Sequence, residues 1–162
     1  MSNLEIPPPP GPAEYQAELA RQPNNVLMVE YDDKGRILVS GGMPEEDFRN
    51  TLQYTQRKVL RGAGRAESHY VEFVGESRVP VLRVRPELEQ GFDKTVIAVR
   101  EPATLADLPA AKVTFDGPVK GAHQHPGGDL VVGWTVPGTY TVCVEAFPAL
   151  PATFTLTVGA VA

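Results

Sequence analysis

Three histidines, His69, His123 and His125, are the imidazoles of this chain, and two of them stand two residues apart in His123-Gln124-His125. Imidazole nitrogens are preferred ligands for zinc, copper and nickel. In an extended strand, residues two apart point to the same side, so both rings could reach one ion. Two ligands do not close a site, so His69, or the same pair repeated around the axis of a symmetric oligomer, would have to complete it. The competing reading takes Ala122-His123-Gln124-His125-Pro126-Gly127-Gly128 as a polar loop leading into a strand, because a proline and two glycines in succession punctuate a chain. The loop is the expectation. His123 and His125 stand as metal candidates, and no metal or cofactor is assigned.

Other chemistry finds less support. Nucleophilic catalysis needs a Ser or Cys with a His base in reach. No Gly-x-Ser-x-Gly elbow is present, and the single cysteine, Cys143, sits inside an apolar alternation where a packed thiol is expected. One cysteine also excludes an internal disulfide. The paired acids Asp32-Asp33 and Glu45-Glu46-Asp47 are explained by turn chemistry and by a helix dipole. Gly62-Ala63-Gly64 does not lead into a helix, as a phosphate-cradling loop would. No catalytic residue is assigned, and the chain is not expected to be an enzyme.

The elements that would position these residues are short. Sixteen Pro and fifteen Gly among 162 residues favour many brief elements joined by turns. Residues 1–24 read as a Pro-rich extended arm, since Ile6-Pro7-Pro8-Pro9-Pro10-Gly11-Pro12 fixes φ and removes amide donors. The arm is either a solvated tail or a segment lying along a neighbouring subunit. Leu4, Ile6, Pro8, Tyr15 and Leu19 are the docking residues of the second reading.

Residues 25–86 are expected to form a small antiparallel β domain with a short helix. Val26 to Tyr31 and Arg36 to Ser40 read as a hairpin closed by Asp32-Asp33-Lys34-Gly35, with Gly35 supplying positive φ. Pro44-Glu45-Glu46-Asp47 reads as a helix start with Pro at its first position, and Phe48 and Leu52 continue the helical spacing. Strands are expected at 58–60, 70–74 and 81–85, and residues 87–91 as a linker.

Residues 92–162 carry the clearest pattern. Leu130, Val132 and Trp134, then Tyr140, Val142, Val144 and Ala146, then Phe154, Leu156 and Val158 alternate with other residues, and Pro or Gly breaks each run. Repeated period-2 alternation at this spacing predicts an immunoglobulin-like β-sandwich. Trp134, Tyr140 and Phe154 are expected to dominate its core, with Phe154→Ala costing about 3–5 kcal/mol.

The net charge of −5 argues against a nucleic-acid binder. The basic stretch Arg49, Arg57, Lys58, Arg61, Arg65 has no acid between its ends and is read as a solvated face or a contact with an acidic protein. No apolar run approaches 18 residues, so no membrane insertion is expected. No secretory signal opens the sequence, so synthesis in a cytoplasm is expected.

A resemblance can be attached to these residues. Tyr31-Asp32-Asp33-Lys34-Gly35-Arg36-Ile37, Gly41-Gly42-Met43-Pro44, Phe92-Asp93-Lys94-Thr95-Val96-Ile97-Ala98, Val113-Thr114-Phe115-Asp116-Gly117 and Pro137-Gly138-Thr139-Tyr140 together resemble small tailed-bacteriophage proteins encoded near tail-fibre genes, which carry a C-terminal Ig-like domain. The resemblance spans residues 26–158 and implies a non-enzymatic structural component of the virion, at the tail, fibre or baseplate, made in the host cytoplasm. Its implied partners are other virion proteins, in a symmetric oligomer. Two alternatives stay open: a module that binds host-surface polymers weakly through loops at Asp116-Gly117-Pro118 and Pro126-Gly127-Gly128, and a tail-fibre assembly factor absent from the finished particle. The Pro-rich arm and the stretch Gly121 to Gly128 depart from the family pattern.

Overall fold

A computed structural model describes residues 24–159 together with Glu14, Ala17 and Arg21. Leu4, Ile6, Pro8, Tyr15 and Leu19, named as docking residues of the arm, lie outside the described residues. The chain is mainly β, with antiparallel sheets and, within residues 24–159, one short helix. It divides after Val84 into two compact units.

In the first unit, β1 (Asn25–Tyr31) is the central strand of an antiparallel sheet of order β2-β1-β3, with β2 at Ile37–Pro44 and β3 at Val59–Arg61. Its β-rich sequence is covered on both faces. Val29 and Tyr31 meet Ile37 and Val71 on one side, joined by Leu60, Phe73 and Leu82. Met28 meets Phe48 and Val59 on the other. The first cover is an antiparallel hairpin of β4 (His69–Val74) and β5 (Val79–Val84). The second is helix α1 (Glu45–Tyr54).

The β1–β2 turn forms as expected. The Asp32 carboxylate accepts the amides of Lys34 and Arg36, both at 2.9 Å. Gly35 has φ +80, and its carbonyl accepts the Val71 amide at 2.8 Å. The tip of the hairpin is thereby fastened to β4.

Two details of α1 differ from expectation. Pro44, with φ −55 and ψ 144, is the N-cap and Glu45 the first helical residue. The Glu45 amide is satisfied by the Asn24 carbonyl at 2.8 Å, so the residue just before β1 takes up one of the amides left open at the helix start. Leu52, placed on the buried stripe from its spacing, is exposed. Phe48 and Thr51 face inward instead, and Thr51 tolerates this because its hydroxyl donates to the Asp47 carbonyl.

The second unit contains a five-stranded sheet of order β6-β12-β11-β8-β9 and a two-stranded sheet pairing β7 with β10. The strands are β6 (Val96–Ala98), β7 (Ala103–Leu108), β8 (Ala111–Asp116), β9 (Gly121–His125), β10 (Gly128–Val132), β11 (Gly138–Glu145) and β12 (Ala152–Gly159). Every pairing is antiparallel except β6 with β12. Leu105, Leu108 and Leu130 of the smaller sheet share one core with Val113, Tyr140, Val142, Val144, Leu156 and Val158 of the larger.

Trp134 and Tyr140 sit in that core, stacked with ring centres 4.2 Å apart. Aromatic rings of this size contribute roughly 4–6 kcal/mol each by burial, before conformational entropy is subtracted. Phe154 is only half-buried, edge-on to Phe92, so its expected cost on truncation is too high. Cys143, expected as a packed thiol, is half-buried on the outward face of β11, across from Thr114 and Thr153. The alternation that buries Tyr140, Val142 and Val144 turns it away from the core.

Residues 87–91, read as a linker, and Pro86 before them belong to the second unit. Leu88 packs on its core, the Pro86 carbonyl accepts the Leu150 amide at 2.7 Å, and the Arg85 guanidinium donates to the carbonyls of Pro148 and Ala149.

Candidate functional site

The expected loop at residues 121–125 is a strand. Residues Gly121 to His125 form β9 on the open edge of the larger sheet, with His123 opposite Val113 and His125 opposite Ala111 of β8. Ladder pairing with β8 outweighs the loop-like composition, and only Pro126 and Gly127 turn the chain into β10. Both glycines here take positive φ, +112 at Gly127 and +94 at Gly128, which L side chains rarely adopt.

Directly opposed residues share a sheet face. Val113 and Ala111 are buried in the core, so His123 and His125 lie on the core-side face. They escape full burial on the edge strand of the sheet: His123 is exposed and His125 half-exposed. Their ring centres are 6.2 Å apart. His125 Nε2 lies 3.1 Å from the Gly128 carbonyl oxygen. A carbonyl can only accept, so Nε2 carries the proton of the neutral ring and Nδ1 holds the free lone pair.

Beside the pair opens a groove of about 390 Å³. Phe115, Leu130, Val131 and Trp134 form most of its apolar wall, and His123 is its one titratable group. Val131 is 60% exposed there. Among the described residues neither β9 nor β10 has a second strand partner, so the groove lies where two sheet edges face each other unpaired. The sequence could not show this, because which edge stays open depends on pairings far apart in the chain. The one local signal was the Pro126-Gly127-Gly128 turn.

His69, the suggested third ligand, belongs to the first unit, where its Nδ1 lies 2.8 Å from the Ser68 hydroxyl. Among the described residues no group of three or more His, Cys, Asp or Glu is placed to hold a metal ion. The acids also have other partners. Asp32 caps its turn, and Glu45 accepts from Arg49 and from Arg61, at 3.1 and 2.7 Å.

The basic stretch is largely neutralised within the first unit. Arg57 pairs with Glu30 through two hydrogen bonds, Lys58 with Asp33, and Arg49 and Arg61 with Glu45. The Arg57 hydrogen bond holds the Glu30 carboxyl below its ordinary range, and Arg61, then Arg49, do the same for Glu45. Four of the five cations thus face carboxylates of their own unit, which favours the solvated-face reading over contact with an acidic protein.

No helix among the described residues is long and apolar enough to cross a membrane. Comparison with family models, with curated proteins and with solved structures returns no match.

Proposed function

We propose that this protein is a structural component of a bacteriophage virion, at the tail, fibre or baseplate, whose second unit is an Ig-like sandwich. The observation that carries the Ig-like reading is the strand order. A sheet of β6-β12-β11-β8-β9 sharing a core with a β7-β10 pair supports it, because immunoglobulin-type domains also pack two antiparallel sheets around one core. The bridge between Phe92 and Leu105 adds a first strand contact to the smaller sheet.

A second feature supports it. The Tyr140 hydroxyl donates to the Val136 carbonyl at 2.9 Å, a tyrosine near the start of a strand bonding back to the backbone just upstream, as in the tyrosine corner of such domains. The virion assignment rests on the motifs that resemble phage tail-associated proteins. In this reading the Pro-rich arm and first unit dock onto neighbouring virion proteins, and the Ig-like unit is displayed.

Mass spectrometry of purified particles tests the proposal. A stoichiometric amount of this chain in the virion is expected. Its absence from finished particles, with presence during assembly, would replace the proposal by the assembly-factor reading. The open groove at β9 and β10 favours one further role, weak attachment to host-surface polymers. Whole-cell binding by the full chain, lost when Val131 is changed to Glu, would support it, and binding unaffected by that change would sink it.

A further inference from the structure

We propose that His123 and His125 form a surface site for a divalent transition-metal ion of the zinc, nickel and copper group. Three observations converge on it. The two rings project from one face of an extended edge strand, His123 exposed and His125 half-exposed. Their separation suits a shared ion. With an imidazole nitrogen roughly 1.1 Å from its ring centre and a Zn–N bond of about 2.1 Å, two rings on one ion have centres about 5.2 Å apart at the tetrahedral angle and about 6.4 Å when opposed. The observed 6.2 Å lies inside that range, near its opposed end, and a rotation of the exposed His123 ring would bring the centres toward the tetrahedral separation.

The third observation is the hydrogen bond from His125 to the Gly128 carbonyl. A metal-binding histidine usually donates its other ring N–H to a carbonyl or carboxylate, which fixes the tautomer and the ring plane. Here the positive-φ glycine turn after β9 places that carbonyl and leaves Nδ1 of His125 as the ligating atom. Imidazole donors select zinc, nickel or copper over magnesium or calcium. The remaining coordination positions face solvent and would be filled by water, so the site is open and its affinity modest. This inference does not depend on the virion assignment.

The test is a calorimetric titration of the full chain, purified without a histidine tag and stripped with chelator, with zinc chloride alone. One ion per chain is expected. His123→Ala and His125→Ala should each weaken binding at least about tenfold, the lower end of the loss seen on removing even a supporting group, while His69→Ala leaves it unchanged. Both changed residues lie on an exposed edge, and far-UV circular dichroism verifies that the variants fold. Histidine 15N spectra supply a second readout: without metal, His125 should show the Nε2-protonated tautomer, and zinc should shift its Nδ1 resonance. No heat and no shift at millimolar zinc, or unchanged affinity in the His125 variant, would overturn the proposal.

Discussion

Single residues in this chain are constrained for reasons that differ sharply from site to site. Gly35 combines a turn with a close approach, since a Cβ built there would lie 1.9 Å from the Val71 carbonyl oxygen. Gly35→Ala therefore meets both the positive-φ penalty and a backbone clash. A loss of at least about 2 kcal/mol is expected by urea denaturation. Tyr140→Phe removes only the hydroxyl bond to Val136 and should cost about 0.5–1.5 kcal/mol, followed by the fluorescence of Trp134, the single tryptophan. Phe154→Ala, at a half-buried site, should fall below the range for a full core aromatic, near about 2 kcal/mol in the same assay. A value above about 4 kcal/mol would place that ring deeper than its exposure indicates.

Secondary-structure elements were legible where local chemistry decides them. The β1–β2 hairpin could be read because Asp32 and Gly35 encode its turn, and β11 and β12 because their alternation is long. Helix α1 was legible as an element but its buried face was not. Apolar spacing pointed to Phe48 with Leu52, whereas the sheet beneath accepts Phe48 with Thr51. This separates two substitutions on one helix. Phe48→Ala should cost about 3–4 kcal/mol in a thermal melt, and Leu52→Ala should stay within about 0.5 kcal/mol. Equal losses would mean that Leu52 is covered. Strand β9 was missed for the opposite reason: its composition is that of a loop, and only pairing with β8, a nonlocal event, makes it extended. The histidine pair was thus found in the sequence, while the strand that aligns it was not.

At the scale of the whole molecule, carboxylates held low are spread over both units. Arg57 lowers Glu30, and Arg61 with Arg49 lowers Glu45. In the second unit, the Ala98 amide and then Lys94 lower Glu101, and Lys120 lowers Asp116. A carboxyl whose folded value lies below its unfolded one stabilises the fold above the unfolded value, and loses that contribution as pH falls through the folded one. The denaturation midpoint should therefore fall as pH drops from neutrality to below about 4. Each exposed pair contributes little, so added salt at neutral pH should lower the midpoint only slightly. Division into two units is less visible in the sequence than the sheets themselves. Pro86 to Gly91 has a linker's composition, and only its contacts with Leu150 and the core of the second unit assign it there.

The parallel pairing of β6 with β12 has a mechanical side. The chain comes into the second unit beside the start of β12, where Leu150 bonds Pro86, and Gly159 stands at the far end of that strand. Tension along the chain therefore drags β6 and β12 past each other in opposite senses. Their hydrogen bonds share such a load side by side in shear, where a hairpin pulled from its open end would unzip one bond at a time. A pull between Pro86 and Gly159 would thus load the β6–β12 bonds together, not one after another.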